Sequence, residues 1–420
     1  MKQLLYNLPE VVAPTEKKLG FSTKLKWTLT ILLIFYVLGA IPLIGLDDTS
    51  LRSFEQLSII LGAEFGSLIS LGIGPIVTAS IVLQLLNGSG IIKFDTSTHE
   101  GKRTFQGVQK LLAVFFVVFE AFIYVFMGGF TPVVGGSKLF LVFQLFVGGM
   151  LIMGMDEVIS KWGFGSGLSL FIAAGVSKSL VVRTLSWLPV PNNPNTYAGA
   201  IPEILRSVAA NQPLAAGIAI SAILATFLVF AVCVFGQAMK VEIPLSFGRV
   251  RGHGIRWPLS FMYTSNIPVI LVAALLANIQ LWASLMENWA AGGTGIIAFI
   301  SNHIVGNSAG GGLLQWVTPP NLVQGIITSS LTGDQILVAI VYCCIMMAGS
   351  VMFSMFWVQT SGQDPRSMAK QIMGSGLQLP GFRKDERVLE RVLARYIGPL
   401  TVMGGLLVGF LAALADVSGA

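Results

Sequence analysis

The sequence is poor in charge. Of its 420 residues only 11% are Asp, Glu, Lys or Arg, while 54% are hydrophobic. A soluble domain carries about 25% charged residues, so this chain cannot cover its own surface in water. That excludes a soluble enzyme of two or three domains, the ordinary expectation for the length. A polytopic membrane protein remains. Cysteine is scarce as well: Cys233, Cys343 and Cys344 all lie in apolar runs, two of them adjacent, so no disulfide framework is expected. His99, His253 and His303 are too few and too scattered for a metal cluster. There is no GxxxxGK[ST] phosphate loop and no HExxH pair. No metal, cofactor or catalytic residue is expected, and the energy for any work must come from outside the chain.

What is present is a series of long uncharged runs. A helix rises about 1.5 Å per residue and must cross about 30 Å of hydrocarbon, so about 20 uncharged residues mark a span. Gaps between charged residues place spans at 27–46, 65–92, 139–155, 207–239, 257–286, 335–363 and 396–415. The stretch 111–137 is broken only by Glu120, and 162–177 continues past Lys178 towards Trp187. That predicts nine crossings. The first run resembles a signal anchor, but no small-residue cleavage pattern follows it, so it counts as a span. The uncharged stretch 288–333 is crowded with glycine and broken by Pro319-Pro320. Such backbone cannot satisfy itself in lipid as one helix, so a long external loop is expected there, with a re-entrant piece as the alternative.

Lys and Arg set the orientation. With the N-terminus in the cytoplasm and the spans alternating, 21 of the 26 cations fall in cytoplasmic segments. Only Arg52, Lys138, Lys178, Arg183 and Arg206 fall outside. Two cytoplasmic loops, 239–258 and 361–393, are longer than a turn needs and rich in cations. They serve either as headgroup contacts or as a docking surface for an acidic partner such as ribosomal RNA.

Two spans are interrupted. The second carries Leu71-Gly72-Ile73-Gly74-Pro75, and the seventh Ser265-Asn266-Ile267-Pro268. Proline removes a donor and clashes with the preceding turn. Before the first break, residues 54–64 (Phe54, Glu55, Leu57, Ile59, Ile60, Leu61 and Glu64 among them) are too short and too polar to span. They read as a half-helix that enters from outside and stops. Interrupted helices in matching positions point to a central site in an inverted repeat, here halves 1–190 (with the segment 54–64) and 191–420. No residue-level similarity between the halves is visible.

The lining of such a cavity would be aliphatic. The interiors of the nine spans offer one carboxylate, Glu120, whereas a transporter keeps several ionisable groups near the midplane. The segments at the breaks present Ile73, Val77 and Ile270, and the fifth span Leu168 and Ile172. A constriction of such groups dewets and blocks ions, and it gives a sliding peptide nothing to hydrogen-bond. Ordinary core packing is the plain alternative for any one of them. A broken-helix secondary transporter of a small solute is the alternative function. An intramembrane protease fits poorly, since Gly165-Ser166-Gly167 offers a serine but His253 and His303 fall in loops on opposite sides.

Several motifs resemble SecY, the large subunit of the Sec protein-conducting channel, in its archaeal form and akin to the alpha subunit of the endoplasmic reticulum translocon. They are Leu-Gly-Ile-Gly-Pro-Ile-Val-Thr-Ala-Ser (71–80), Gly165-Ser166-Gly167 with Phe171-Ile172-Ala173-Ala174-Gly175, Val241-Glu242-Ile243-Pro244, Ser265 to Ile270, and Gly381-Phe382-Arg383. The resemblance runs nearly end to end. It implies an all-α polytopic membrane protein of two pseudo-symmetric inverted halves around a central pore. That channel conducts unfolded secretory polypeptides and releases hydrophobic segments sideways into lipid; it is not an enzyme.

By motif position Ile73, Val77, Leu168, Ile172 and Ile270 match the pore ring, and 54–64 matches the plug that seals the external funnel. Thr78, Glu120 and Asn278 match the polar cluster across the lateral gate between spans 2/3 and 7/8. Arg249, Arg251 and Arg383, with Lys240 and Lys384 beside them, match the ribosome-docking cations, which in bacteria also meet the SecA motor. The implied partners are SecE, a small third Sec subunit, the ribosome, signal sequences, nascent chains and membrane lipid. The implied location is the plasma membrane of a prokaryote. The family continues through a glycine-rich link into a tenth span with a sixth ring residue; this sequence stops at Ala420, after the ninth, so a truncated chain is expected.

Overall fold

A computed structural model describes residues 10–15, 19–46, 66–88, 91–92, 94, 99–133, 135–190, 193–247, 254–290, 312–375, 377–378 and 385–419. Helices dominate: α1 Phe21–Ala40, α2 Gly74–Gly88, α3 His99–Phe126, α4 Lys138–Trp162, α5 Gly167–Leu185, α6 Ala200–Ala209, α7 Pro213–Ala238, α8 Ile267–Ala290, the short α9 Leu313–Val317 and α10 Leu322–Ile327, α11 Gly333–Thr360, α12 Pro365–Gly374 and α13 Glu386–Ser418. Seven of them (α1, α3, α4, α5, α7, α11 and α13) are long and apolar enough to cross a bilayer. Two shorter apolar helices, α2 and Ile267–Ala283 within α8, answer the two runs with breaks. The protein is a multi-pass membrane protein.

Helix ends differ from the charge gaps. α1 begins at Phe21 and takes in Lys24 and Lys26, α3 begins at His99, and α13 begins at Glu386. A charged residue marks where hydrocarbon stops, whereas a helix runs on into water because Lys, Arg and Glu are good helix formers. α13 starts instead where Asp385 accepts a bond from the Arg387 amide. α3 stops before Gly128, whose φ of +84° lies in the left-handed region.

The long loop 239–258 folds as a hairpin. Strands β3 Lys240–Phe247 and β4 Gly254–Ser260 pair antiparallel, and β5 Leu377–Gln378 adds to β3 from the other long loop. A period-two pattern, Val241, Ile243 and Leu245 between Lys240, Glu242 and Pro244, was the visible signal. β1 Pro189–Val190 and β2 Asn193–Tyr197 form a second small hairpin. In the described part of 288–333, after α8, only α9 and α10 occur, on either side of Pro319-Pro320.

The chain divides into two compact units that interleave in sequence. The first holds Met1–Val82, Arg103–Pro202 and Ala274–Gln315; the second holds Leu83–Lys102, Glu203–Ala273 and Trp316–Ala420. In the first, α4 is the central helix, burying Leu141, Leu145, Ile152 and Ile159. A Cβ on its Gly148 would strike the Leu68 carbonyl, and one on Gly149 would lie 2.6 Å from Val117. Small residues let membrane helices approach this closely. In the second, α11 and α13 pack by the same device: a Cβ on Gly405 would meet the Ser354 hydroxyl at 2.7 Å, and one on Gly409 the Ser350 hydroxyl at 2.8 Å. Ile243 and Leu259 of the hairpin, Ala369 and Ile372 of α12, and Leu389, Leu393 and Ile397 of α13 share one core. The described parts of the two long loops therefore share one folded body.

Candidate functional site

The site starts from the break at 71–75. Residues 66–73 descend as successive turns, with the Gly72 amide bonded to Ile69 and that of Gly74 to Leu71. Gly72 sits at φ +54°, which glycine adopts without the Cβ penalty. α2 begins at Gly74, with Pro75 as its second residue. There a proline's missing N–H has no helical partner to lose. α8 starts the same way: Ser265 takes a left-handed φ of 56°, and Pro268 is again second in the helix. At both breaks a helix begins.

Ile73 and Val77 lie one helical turn apart, the Val77 amide bonding to the Ile73 carbonyl. Both are buried, at 8% and 1% exposure. Leu168 and Ile172 repeat the spacing on α5 and are half-buried, as is Ile270 on the first turn of α8. The first four belong to the first unit and Ile270 to the second. α5 is fixed by its neighbouring face, where Phe171 stacks on Phe35 of α1 with ring centroids 4.8 Å apart, and the Tyr36 hydroxyl donates to the Ala174 carbonyl.

One turn past Pro75, three helices meet on polar atoms. Asn278 Nδ2 of α8 donates to Thr78 Oγ1 at 2.9 Å. Thr78 Oγ1 lies 2.9 Å from the Gly74 carbonyl and 3.3 Å from Glu120 Oε1 of α3. A hydroxyl has one hydrogen, so Thr78 shares it between these two acceptors. Exposure of Thr78, Glu120 and Asn278 is 8%, 2% and 5%. A Cβ on Gly74 would stand 3.3 Å from Glu120 Oε2, so the glycine that opens α2 also makes room for the carboxyl. Phe119 and Trp282 meet edge to face beside the cluster in sequence, tying α3 to α8 a second time.

Lys240 stands exposed at the start of β3. Phe54, Glu55, Leu57, Ile59, Ile60, Leu61 and Glu64 lie outside the described residues, as do Arg249, Arg251, Arg383 and Lys384. Among the described residues no group of three or more His, Cys, Asp or Glu is placed to hold a metal. Sequence reasoning missed the polar end of α4. There Glu157 pairs with Lys110 and accepts the Val11 amide, and Lys161 reaches the Val11 carbonyl. These contacts join residues 47 to 150 positions apart in the chain and leave no local pattern.

Comparison with known proteins gives one answer. A SecY family model matches residues 67–420. The protein translocase subunit SecY of Methanothermobacter thermautotrophicus is 41% identical over 416 residues, covering 98% of this chain and 88% of that protein. Among solved structures, a SecY whose plug domain is described as stabilizing the closed state of the translocation channel and maintaining a membrane seal superposes with TM-score 0.82. It is 39% identical, with 100% of this chain and 91% of that chain covered. Sec61 in the canine ribosome-channel complex from the endoplasmic reticulum gives TM-score 0.77 at 37% identity, covering 100% and 94%.

Proposed function

The chain belongs to the SecY family, and from that premise we propose that it is the channel subunit of a protein translocase, passing unfolded polypeptides across a membrane and letting apolar segments out sideways. The observation that carries the gate is the bond from Asn278 to Thr78 and from Thr78 towards Glu120, which joins α2, α3 and α8 through buried polar groups. A seam closed this way in lipid is weak, since interhelical hydrogen bonds in membranes average about 0.6 kcal/mol. It is suited to open and shut.

Ile73, Val77, Leu168, Ile172 and Ile270 form the ring that the chain threads. Aliphatic side chains offer a moving peptide no hydrogen bond, and around an empty pore they exclude water and with it ions. Residues 54–64 are the plug over that ring. A signal sequence, itself an apolar helix, replaces protein contacts along the seam at little net cost and shifts the closed–open equilibrium towards open.

The N-terminus and the two long loops face the cytoplasm, where most Lys and Arg collect. The halves 1–190 and 191–420 are the two sides of the channel, and the membrane is the plasma membrane of a prokaryote. SecE and a small third subunit complete the complex. The ribosome docks on Lys240, Arg249, Arg251, Arg383 and Lys384, a cationic set matched to phosphate, and translation supplies the drive. Reconstitution of the complex in proteoliposomes tests the reading. A secretory precursor with an intact signal should become protected from added protease; a precursor that stays fully digestible contradicts it.

A further inference from the structure

Helix α5, which carries Leu168 and Ile172, has an unusual start. Its N-cap residue Ser166 has the extended φ and ψ of a capping position, yet its side chain makes no cap bond. The acceptor comes from another helix instead: Asp156 Oδ1 of α4 takes the Leu168 amide at 2.7 Å. Gly167 is obliged by the same contact, because a Cβ there would lie 2.7 Å from both the Asp156 Cα and Oδ1. The loop leading in is pinned too, the Phe164 amide donating to Thr28 of α1 at 3.3 Å.

We propose that Asp156 is a positioning residue for the pore ring: by capping α5 from α4, it fixes the depth and rotation of Leu168 and Ile172. A carboxyl at a helix N-terminus satisfies an orphan amide and opposes the positive end of the helix dipole. Here the bonded amide is that of a ring residue, so a shift of the cap moves Leu168 directly and Ile172 one turn on. A local cap at Ser166 would hold the helix end but leave it free to slide on α4. The cap from Asp156 ties that end to α4, which buries Leu141, Leu145, Ile152 and Ile159. Glu157, the next residue, holds Lys110 and the Val11 amide, so the α4 end that supplies the cap is itself braced.

The inference rests on the reading of Leu168 and Ile172 as ring residues, and the test separates the two. The purified complex is placed in planar lipid bilayers and its resting ion conductance measured for Asp156→Ala, Asp156→Asn and the double variant Asp156→Ala/Ser166→Asp, beside Leu168→Gly/Ile172→Gly. Loss of the cap should raise the resting conductance of Asp156→Ala roughly fivefold, the size expected from losing one N-cap. Asp156→Asn keeps an acceptor oxygen and should stay near the parent. A purely structural role would lower the melting temperature and leave the conductance of the folded complex unchanged. If the ring glycines leak and Asp156→Ala does not, the positioning role is overturned while the ring stands; if the ring glycines do not leak either, the ring reading falls and takes this role with it. Should Asp156→Ala fail to assemble, the double variant decides: a partly restored seal supports the cap, and a complex that leaks as the glycines do, or does not assemble, overturns it.

Discussion

Asn278 donates a hydrogen bond to Thr78 across 200 residues of chain, 2.9 Å between Nδ2 and Oγ1, in surroundings where both residues are buried. A bond of this reach is made only when the two helices close on each other. It therefore reports the state of the seam between α2 and α8. Removing the acceptor with Thr78→Val leaves the Asn278 amide unpaired, and a buried unpaired group costs about 1–3 kcal/mol. The gate should open on less hydrophobic signals than in the parent. A graded signal series with the same threshold in both would count against this role for Thr78.

Glu120 should act in the opposite sense. In the closed seam its carboxyl is buried at 2% exposure with Thr78 at 3.3 Å, and opening would hydrate it. Glu120→Leu removes that incentive to open and adds a side chain whose burial is worth about 1.5–3 kcal/mol. The threshold hydrophobicity should rise, and weak signals should stop translocating. The same series in proteoliposomes checks it.

The sequence made much of this site readable, for a definable reason. Gly72, Gly74, Pro75 and Pro268 are backbone punctuation whose consequences are local, and the charge gaps measured the hydrocarbon. What composition could not convey is the far end of each contact. The Asp156 cap on Leu168 and the Val11 amide on Glu157 join segments with no shared pattern. The hairpin of β3 and β4 was hidden differently: its alternation was visible, but the cations around it read as loop. Ile243 belongs to a core completed by α12 and α13, and no run of sequence around it announces those partners.

That shared core predicts a separable defect. Ile243 is 2% exposed, and truncating such a side chain costs about 2–5 kcal/mol. Ile243→Ala should make the two long loops sensitive together to limited proteolysis, while the membrane helices keep their protease-resistant fragments. Cleavage confined to one loop would contradict a common folded body.

Gly148 and Gly154 on α4 should part company. A Cβ on Gly148 would strike the Leu68 carbonyl, whereas nothing stands within 4 Å of one on Gly154. Overpacking costs about 1–3 kcal/mol, so Gly148→Ala should lower the melting temperature in detergent by several degrees and Gly154→Ala should leave it unchanged. Equal melting curves would refute the close approach.

Ribosome docking is tested by charge reversal. Arg383→Glu should weaken co-sedimentation with ribosomes most at low salt, and the difference from the parent should narrow as salt rises, because charges more than about 10 Å apart are already screened at 0.1 M. An unchanged salt titration would contradict the assignment.

The most direct measurement is site-specific cross-linking of a stalled translocation intermediate. A precursor carrying one photoreactive residue at the depth of the constriction is trapped in the channel, and adduct sites are mapped by mass spectrometry. Adducts should concentrate on Ile73, Val77, Leu168, Ile172 and Ile270. Adducts that avoid these five side chains and collect elsewhere in the chain would show that they do not encircle the path of the polypeptide.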